Sequence, residues 1–447
     1  MKAFKAYDIR GVWSKDLTED LVYRIGYFYN SVFPVKSVLV GRDIRLSSDV
    51  MFQALSDGLR DSGIDVYDAG LTTTPMNYWG NGAFGFDGSI MITASHNAPE
   101  YNGLKFSGHQ VRPVGYADGL DKLEALVSSD EMVIKRPRGH LYQKDYAASY
   151  LQFLEKYAKR YDHLNIVMDC SNGMAGLFAA QLFGSKTKYI NLTPDGNFSA
   201  HHPNPLEAEN RVQIETSVKE LGYDVGVIFD GDADRVMFID EKGQFVSPDL
   251  IIALLGLYFF KEGNQQEKVV QDIRTSKAVG EYLSRFGVEV DTWRVGRAFG
   301  ATKLKEVDGI YGGELAGHYY FRDFYYSDSG LLAALMVLDI LNEAATKNQS
   351  FSQLISEISK YANTGEVNFK IEQKQEAMEA VLAYFNENEP PEKFMDFDGY
   401  RLEFPDWWFN IRPSNTEPYL RFLAEARSKT LLKRKTKIIY NILERFE

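Results

Sequence analysis

Short apolar runs alternate with stretches of helical spacing along most of the chain. Segments 38–70 and 268–296 both read as strand, turn, helix, glycine and strand, and both carry Asp-Ile-Arg after the first strand. Segment 165–194 is a weaker copy of the same pattern. Strand–helix–strand crossovers favour parallel pairing in α/β layers, and their repetition predicts tandem α/β domains of shared topology. Unrelated crossover units also look alike, so a chance similarity stays open as the alternative.

The last part of the chain has a different pattern. Segments 399–404, 407–411 and 419–426 are typical of strands, and residues 429–446 have helical spacing. This order predicts a smaller α+β domain, with residues 363–375 as the linker that leads into it. The predicted domains span residues 1–142, 143–243, 244–362 and 363–447.

Composition narrows the class of protein. The chain has 447 residues, of which 45% are hydrophobic and 25% charged, as is ordinary for globular proteins. The net charge of −12 argues against nucleic acid as the main partner. The N-terminal residues show no apolar leader, and the longest apolar runs, 251–260 and 331–341, are shorter than the ~18 residues of a membrane span. We therefore expect a cytoplasmic protein with no membrane partner.

The chain has one cysteine, Cys170, which excludes a disulfide within the chain and suits a reducing compartment. Cys170 ends an apolar run. We therefore interpret it as a small buried residue rather than as a reactive thiol.

A polar loop, residues 93–108, follows the apolar run 88–92 and contains the first candidate catalytic residue, Ser95. Ser95 lacks the Gly-x-Ser-x-Gly setting of a hydrolase nucleophile. His96 is adjacent, and adjacent side chains usually point apart, so a Ser–His dyad is not supported. Lys105 supplies a mobile positive charge, and the glycines let the backbone approach an oxyanion, which suits a serine that carries phosphate. By composition alone, a plain structural turn fits equally well.

A second loop places Asp230, Asp232 and Asp234 just after an apolar strand. Carboxylates this close repel one another in a low-dielectric site. A hard cation removes the conflict, and oxygen ligands indicate magnesium or calcium. An EF-hand is rejected because Arg235 stands at the sixth position, where that loop needs glycine, and because strands flank the loop. A solvated acidic turn without a metal remains the alternative.

Two further loops carry weaker signals. In residues 311–323, Glu314 suits hydrogen bonding to sugar hydroxyls, and His318 suits proton transfer near neutral pH. A lone histidine, however, is often structural. The segment 410–421 combines arginines with short polar side chains, which suits a phosphate dianion and equally suits a hydrophilic hairpin loop.

Together, the four loops resemble those of the α-D-phosphohexomutase superfamily, in the same order along the chain. TASHNAPEYNGLKFSG (93–108) is similar to the phosphoserine loop, and DGDADR (230–235) to the magnesium loop. GGELAGH (312–318) is similar to the sugar-binding loop, and RPSNTEP (412–418) to the phosphate-binding loop. AYDIRG, GRDIRLSS and HHPNP fit the same family. Motifs in their expected order are more specific than any one of them.

The resemblance implies three tandem mixed α/β domains of shared topology and a smaller C-terminal α+β domain around a central cleft. The loop GELAGH looks like that of the phosphomannomutase/phosphoglucomutase branch, although Ala316 stands where serine is usual. Arg297 replaces a histidine common in this branch, and Arg274 stands where lysine or arginine occurs. These departures concern the choice of sugar and leave the reaction class unchanged.

The implied reaction interconverts hexose 6-phosphate and hexose 1-phosphate of mannose, glucose or both. It passes through a phosphoserine and a hexose 1,6-bisphosphate, with one Mg²⁺ per chain, small-molecule hexose phosphates as partners, and a monomer or homodimer as the assembly. The resemblance assigns three sets of residues: catalytic Ser95, Arg10, Lys105, Arg235 and His318; metal-binding Ser95, Asp230, Asp232 and Asp234; and substrate-binding Tyr7, Arg274, Arg297, Glu314, Ala316, His318, Arg412, Ser414, Asn415, Thr416 and Arg421.

Three other functions remain as alternatives. A phosphoglucosamine mutase would share the reaction and differ in the sugar. A metal-dependent sugar-phosphate phosphatase would share the metal and the serine but would pass phosphate to water. A non-catalytic sugar-phosphate sensor would keep the cleft, but the intact serine, aspartate and phosphate motifs speak against it.

Overall fold

The computed structural model describes residues 1–129, 131–132, 137–261, 267–414 and 419–446. In these residues the chain forms four β-sheets that follow one another along the sequence, and we name domains I to IV after them. The first three sheets mix parallel and antiparallel strands. The fourth is antiparallel throughout.

Domain I has a seven-stranded sheet in the order β1-β5-β4-β2-β3-β7, with β6 paired to β5. Its strands are β1 (Ile9–Val12), β2 (Ser37–Arg42), β3 (Asp65–Leu71), β4 (Gly88–Ile92), β5 (Tyr101–Ser107), β6 (Pro113–Val114) and β7 (Leu141–Gln143). Its helices are α1 (Glu19–Val32), α2 (Ser48–Asp61), α3 (Thr74–Phe84) and α4 (Leu120–Ser128). Helices α1 and α2 approach closely because Gly26 and Gly58 face each other's backbone: a Cβ at Gly58 would lie 2.1 Å from the Tyr23 oxygen.

Domain II has a five-stranded sheet in the order β12-β11-β10-β8-β9. Its strands are β8 (Ile166–Asp169), β9 (Lys188–Ile190), β10 (Val225–Phe229), β11 (Val236–Asp240) and β12 (Phe245–Val246). Its helices are α5 (Ala147–Glu155), α6 (Ala179–Phe183) and α7 (Val212–Leu221). The strands predicted on both sides of the aspartate loop are confirmed as β10 and β11. Cys170 is fully buried, as predicted, and burial raises the pKa of its thiol.

Domain III has a five-stranded sheet in the order β14-β13-β15-β16-β17. Its strands are β13 (Lys268–Asp272), β14 (Glu289–Trp293), β15 (Tyr311–Gly313), β16 (Tyr319–Phe321) and β17 (Ser327–Asp328). Its helices are α8 (Pro248–Phe259), α9 (Lys277–Leu283), α10 (Arg297–Glu306), α11 (Gly330–Thr346) and α12 (Phe351–Ile358).

The three sheets share one topology. In each, two strands that are joined by a crossover pair in parallel, the third strand pairs in parallel with the first, and the fourth pairs antiparallel with the third. The repeated Asp-Ile-Arg follows the first crossover strand in domains I and III. There, Arg45 and Arg274 each donate a backbone N–H to the aspartate two residues earlier, at 3.0 and 2.7 Å. The predicted repeat is thus a true structural repeat.

Domain IV has a six-stranded sheet in the order β18-β23-β22-β21-β20, with β19 also paired to β23. Its strands are β18 (Ala362–Asn363), β19 (Val367–Phe369), β20 (Lys393–Met395), β21 (Tyr400–Glu403), β22 (Trp407–Pro413) and β23 (Leu420–Ala426). Its helices are α13 (Lys374–Asn388) and α14 (Lys429–Leu443). The sequence predicts a linker at residues 363–375. Part of this segment instead belongs to the sheet of domain IV, because β18 and β19 pair with β23.

Two apolar helices, α8 and α11, contribute many of the buried residues of the largest hydrophobic core among the described residues. This core runs through domains II and III and reaches Leu39 and Met76 of domain I, whereas the rest of domain I and domain IV have cores of their own. The apolar runs 251–260 and 331–341 are therefore core helices. No helix in the described ranges is long and apolar enough to cross a membrane.

Candidate active site

Three polar loops meet because they occupy the same place in three equivalent sheets. Each lies between the third strand and the antiparallel fourth strand: residues 93–100 join β4 to β5, residues 230–235 join β10 to β11, and residues 314–318 join β15 to β16. Side chains at the carboxyl ends of such strands commonly form ligand sites. Contacts between the three loops show that they converge in this protein.

Ser95 lies at the centre of this convergence. Its Oγ donates a hydrogen bond to Oδ2 of Asp230 at 2.9 Å, and the residue is 1% exposed. Its φ of 52° is in the left-handed region, which is costly for a residue with a Cβ and is often found at functional sites. Gly231 makes the approach possible, because a Cβ there would lie 2.5 Å from the Ser95 carbonyl oxygen.

The expectation that His96 points away from Ser95 is wrong. Its Nδ1 lies 3.3 Å from Ser95 Oγ, since the left-handed turn brings neighbouring side chains to the same side. Burial, followed by the charges of Arg235 and Arg10, lowers the pKa of His96 well below its ordinary value. The ring is therefore neutral, and because the single serine proton is donated to Asp230, a hydrogen bond between the two side chains requires the Nδ1–H of His96 to donate to Ser95 Oγ.

Arg45 holds the serine loop and was not singled out from the sequence. Its Nη2 donates to the carbonyl oxygens of Ser95 and Asn97 at 2.9 and 2.7 Å, and its Nη1 donates to that of Ala98 at 2.7 Å. Nε of Arg45 donates to Oδ2 of Asp43 at 3.1 Å. The repeated Asp-Ile-Arg motif did mark Arg45 in the sequence. The motif does not reveal what Arg45 does, because Arg45 contacts residues that lie 50 or more positions further along the chain.

Asp230, Asp232 and Asp234 lie together with no exposed surface, and one oxygen from each falls within 4.8 Å of the others. Burial, followed by the charges of Asp234 and Asp232, raises the pKa of Asp230 well above its ordinary value. Oδ1 of Asp232 and Oδ1 of Asp234 accept no hydrogen bond from any described residue. Such an oxygen-only, under-satisfied cluster fits a hard divalent cation.

Lys105 is the nearest positive charge to this cluster. Its Nζ donates to Oδ2 of Asp232 at 2.7 Å and to Oδ2 of Asp234 at 2.5 Å. Burial opposes the charge of Lys105, but the two aspartates outweigh it and raise the pKa of the ammonium group. Thr74 at the start of α3 also donates to Asp232, at 2.5 Å, and was missed because nothing in the sequence links them.

Arg10 lies on β1 beside the serine loop. Its Nη1 donates to Asn97 Oδ1 at 2.7 Å and its Nη2 to Asp8 Oδ2 at 2.5 Å. Burial lowers the pKa of Arg10, but Asp8, Asp232 and Asp234 outweigh this and raise it overall. The guanidinium thus stays charged next to the aspartate cluster.

Arg235 and His318 are in direct contact. Nε of Arg235 donates to Nε2 of His318 at 3.0 Å and lies 3.8 Å from Oδ2 of Asp230. On its other side, His318 Nδ1 lies 2.6 Å from Oδ2 of Asp328, whose Oδ1 accepts from Arg297 Nε at 3.2 Å. Asp328 was missed from the sequence because it is one of many isolated aspartates.

Asp328 is charged although it is completely buried. Burial raises its pKa, but the charge of Arg297 and the hydrogen bond from His318 outweigh burial and lower the pKa to about 2. Arg297 also stacks over the ring of Tyr78, with Cζ 4.0 Å from the ring centre.

Glu314 is buried on the loop between β15 and β16, with Ala316 two residues further on. Its side chain accepts a hydrogen bond from the Tyr320 hydroxyl, and its Oε2 lies 3.9 Å from Nη2 of Arg274. Burial raises the pKa of Glu314 and outweighs the charge of His318, which lowers it. The Tyr7 hydroxyl donates to the Val295 carbonyl at 3.1 Å.

Three arginines lie near the C-terminal loop: Arg412 and Arg274 are buried, and Arg421 is half-buried. Arg412 is 4% exposed, and its Nε and Nη1 have no hydrogen-bond acceptor among the described residues, although Asp398 lies 3.6 Å away. Arg274 Nη1 and Arg421 Nη1 approach opposite oxygens of Glu366, at 4.0 and 3.0 Å. The backbone of Ser414 pairs with Tyr419 at 2.9 Å. Asn415 and Thr416 lie outside the described residues.

The chain matches four sequence families, one per domain, all of the phosphoglucomutase/phosphomannomutase group. The matches are alpha/beta/alpha domain I over residues 1–132, domain II over 144–243, domain III over 247–361 and the C-terminal domain over 366–441.

Full-length relatives agree with these matches. A phosphomannomutase of Escherichia coli strain K12 is 35% identical over 454 residues, covering 97% of this chain and 98% of that protein. A phosphomannomutase of Methanocaldococcus jannaschii is 33% identical over 456 residues, covering 100% and 98%. The crystal structure of a phosphoglucomutase/phosphomannomutase family protein from Burkholderia thailandensis superimposes with a TM-score of 0.88 at 30% identity, covering 99% and 97%. The chain belongs to the phosphoglucomutase/phosphomannomutase family, within the α-D-phosphohexomutase superfamily.

Proposed function

We propose that this chain is a magnesium-dependent phosphohexomutase that interconverts the 6-phosphate and the 1-phosphate of mannose, glucose or both. One observation carries the proposal: the Ser95 hydroxyl lies 2.9 Å from Asp230, the first residue of the buried aspartate cluster. The full-length relatives named phosphomannomutase support the same reaction.

In the proposed reaction, phosphorylated Ser95 transfers its phosphoryl group to the free hydroxyl of a bound hexose phosphate. The bond from phosphorus to Ser95 Oγ breaks, the bond to the substrate oxygen forms, and the substrate proton ends on Ser95. A Mg²⁺ ion held by Asp230, Asp232, Asp234 and Ser95 supplies charge neutralisation to the transferring group. The resulting hexose 1,6-bisphosphate turns end for end and returns the other phosphoryl group to Ser95.

Lys105 and Arg10 stabilise the charge on the transferring oxygens. Both carry raised pKa values in their ion pairs, so both are cations at neutral pH. Preorganised charges of this kind contribute strongly to phosphoryl transfer, because little covalent chemistry is left for the protein.

The C-terminal loop anchors the phosphate that does not react. Arg412 offers two buried, under-satisfied nitrogen atoms, and a buried arginine holds phosphate with charge-assisted hydrogen bonds. We assign Ser414, Asn415, Thr416 and Arg421 to the same phosphate site. Glu314 is assigned to the sugar hydroxyls, and Arg274, Tyr7 and Ala316 are assigned to substrate binding as well. Because both ends of the sugar must use this anchor in turn, domain IV has to open between the two transfers.

The test compares the 1-phosphates of mannose, glucose and glucosamine, each with a hexose 1,6-bisphosphate activator and Mg²⁺. The proposal predicts the 6-phosphate of mannose or glucose as the product, with little free phosphate. Release of inorganic phosphate without isomerisation would instead identify a phosphatase. Preference for glucosamine 1-phosphate would identify a phosphoglucosamine mutase.

A further inference from the structure

Asp328 makes two contacts that use both of its oxygens. It lies on β17 with no exposed surface. Its Oδ2 faces Nδ1 of His318 at 2.6 Å, and its Oδ1 accepts from Nε of Arg297 at 3.2 Å. The carboxylate is therefore fixed between a cation and an imidazole, and it cannot rotate without losing one of them.

These partners determine which nitrogen of His318 carries the proton. A carboxylate only accepts hydrogen bonds, and an arginine only donates them. The proton therefore lies on Nδ1, where it is donated to Asp328, and Nε2 keeps the lone pair that accepts from Arg235 at 3.0 Å. A ring with its proton on Nε2 would place the Nε2–H against the Arg235 donor and leave Oδ2 of Asp328 without a donor.

The orientation of His318 matters because Arg235, which donates to His318, also lies close to Asp230. Nε of Arg235 lies 3.8 Å from Oδ2 of Asp230, the oxygen that accepts from Ser95. The backbone N–H of Arg235 also donates to Asp230, at 3.2 Å, and the backbones of Arg235 and His318 pair as a β-bridge. Backbone contacts thus hold both residues, while the hydrogen bond to His318 sets the direction of the guanidinium.

We infer that Asp328, itself held by Arg297, is a positioning residue for phosphoryl transfer: it fixes the His318 ring so that Nε2 holds the Arg235 guanidinium beside Asp230 and Ser95. The inference rests on the proposed function for the reaction it serves. It also gives Arg297 a role other than sugar binding.

The first variant is Asp328→Asn, which keeps the size of the side chain. Its amide can donate to Nδ1, which moves the ring proton to Nε2, as occurs when the triad aspartate of serine proteases becomes asparagine. Arg235 then loses its acceptor. We expect kcat for the mutase reaction to fall about 100-fold or more, with KM for the hexose 1-phosphate within about threefold of wild type.

The second readout is the ring itself, measured by ¹⁵N NMR of histidine-labelled protein with the His318 signal assigned through His318→Gln. Wild type should show the proton on Nδ1, and Asp328→Asn should show it on Nε2. A general loss of stability would not exchange the two nitrogen atoms.

The matched control is Asp169→Asn. Asp169 is an equally buried aspartate that faces another histidine, with Oδ2 3.1 Å from Nε2 of His201. It lies in domain II and has no part in the proposed chemistry. It should leave kcat within about twofold of wild type and the His318 ring unchanged.

A further pair keeps the inference testable if Asp328→Asn does not fold. Arg297→Met should lower kcat, and Arg297→Lys should restore most of it, with KM little changed in both. The inference is overturned if Asp328→Asn keeps wild-type kcat, if its ring keeps the proton on Nδ1, or if the Arg297 variants change KM alone. A wild-type protein without mutase activity would overturn the proposed function instead, and the NMR result would still decide the ring orientation.

Discussion

The Ser95 hydroxyl donates to the Asp230 carboxylate at 2.9 Å, although 135 positions separate the two residues along the chain. They belong to equivalent loops of two sheets with the same topology. This places the Ser95 hydroxyl directly against one carboxylate of a cluster of three that could hold a divalent cation.

The close packing of Gly231 on the serine loop gives the first prediction. A Cβ at residue 231 would lie 2.5 Å from the Ser95 carbonyl oxygen, so Gly231→Ala must push the two loops apart. Displacements of about 1 Å at a reacting centre can cost about 100-fold in rate, and we expect a loss of at least that size in kcat.

Gly280→Ala is the matched control, because nothing lies within 4 Å of a Cβ at that position in α9. Alanine is the better helix former, so this variant should be unchanged in activity and more stable by about 0.5–1 kcal/mol. Steady-state kinetics and thermal unfolding measure both effects. Full activity in Gly231→Ala would show that the spacing of the loops is unimportant.

The second prediction concerns Lys105, whose ammonium group neutralises Asp232 and Asp234. Removing one partner of buried ion pairs costs about 3–5 kcal/mol, so Lys105→Met should unfold at a clearly lower temperature in EDTA. Mg²⁺ should then raise Tm more in the variant than in wild type, because it replaces the missing charge. Calorimetry with and without Mg²⁺ measures this difference, and an equal Mg²⁺ effect in both proteins would argue against a metal at the aspartate cluster.

The third prediction concerns Arg412 as the phosphate anchor. Arg412→Ala should lower kcat/KM by an amount equal to about 1.5–3 kcal/mol of transition-state binding, the range for hydrogen bonds to charged groups. Arg427→Ala is the control, because Arg427 is a more exposed arginine of domain IV that pairs with Glu281 at 3.1 Å. Comparable losses in the two variants would mean that Arg412 acts through the stability of domain IV instead.

The fourth prediction concerns the contact between domains III and IV. Glu425 on β23 accepts from Ser276 at 2.6 Å and from Trp408 at 2.8 Å. Burial, followed by the charge of Asp249, raises the pKa of Glu425 to about 7. The folded protein therefore keeps a proton that the unfolded chain releases near pH 4.5, and the stability contributed by this group falls as pH rises from about 4.5 to about 7.

Glu425→Gln should remove this part of the pH dependence, leaving the variant similar to wild type at pH 4.5 and more stable at pH 8. Thermal unfolding across that range measures it. Glu387→Gln, at an exposed position of α13, should keep the wild-type slope. A wild-type slope in Glu425→Gln would mean that Glu425 is ionised in the folded protein.

The sequence predicted the fold class well because its signals are local. Apolar runs with their turn residues identified strands such as β4, β10 and β22, and the repeated Asp-Ile-Arg marked equivalent places in two domains. The linker interpretation of residues 363–375 went wrong because β18 and β19 are short and owe their pairing to β23, which lies far along the chain.

Residues of the site could be predicted from the sequence only where they lie in a recognisable motif. Ser95 and the three aspartates stand in recognisable loops, and the structure brings them together. Arg45 and Asp328 could not be found in this way, because their roles depend on contacts across the fold. The expectation for His96 was wrong for a similar reason. The direction of the His96 side chain follows from the left-handed φ of Ser95, which the sequence does not predict.

In the proposed reaction, Ser95 carries the phosphoryl group. The most direct test incubates the protein and Mg²⁺ with hexose 1,6-bisphosphate bearing ³²P, maps the labelled peptide, and then adds unlabelled hexose 1-phosphate. We predict label on Ser95 alone, lost during the chase at least as fast as kcat, and no label in Ser95→Ala. Label on another residue, or an active enzyme that takes up none, would contradict the claim.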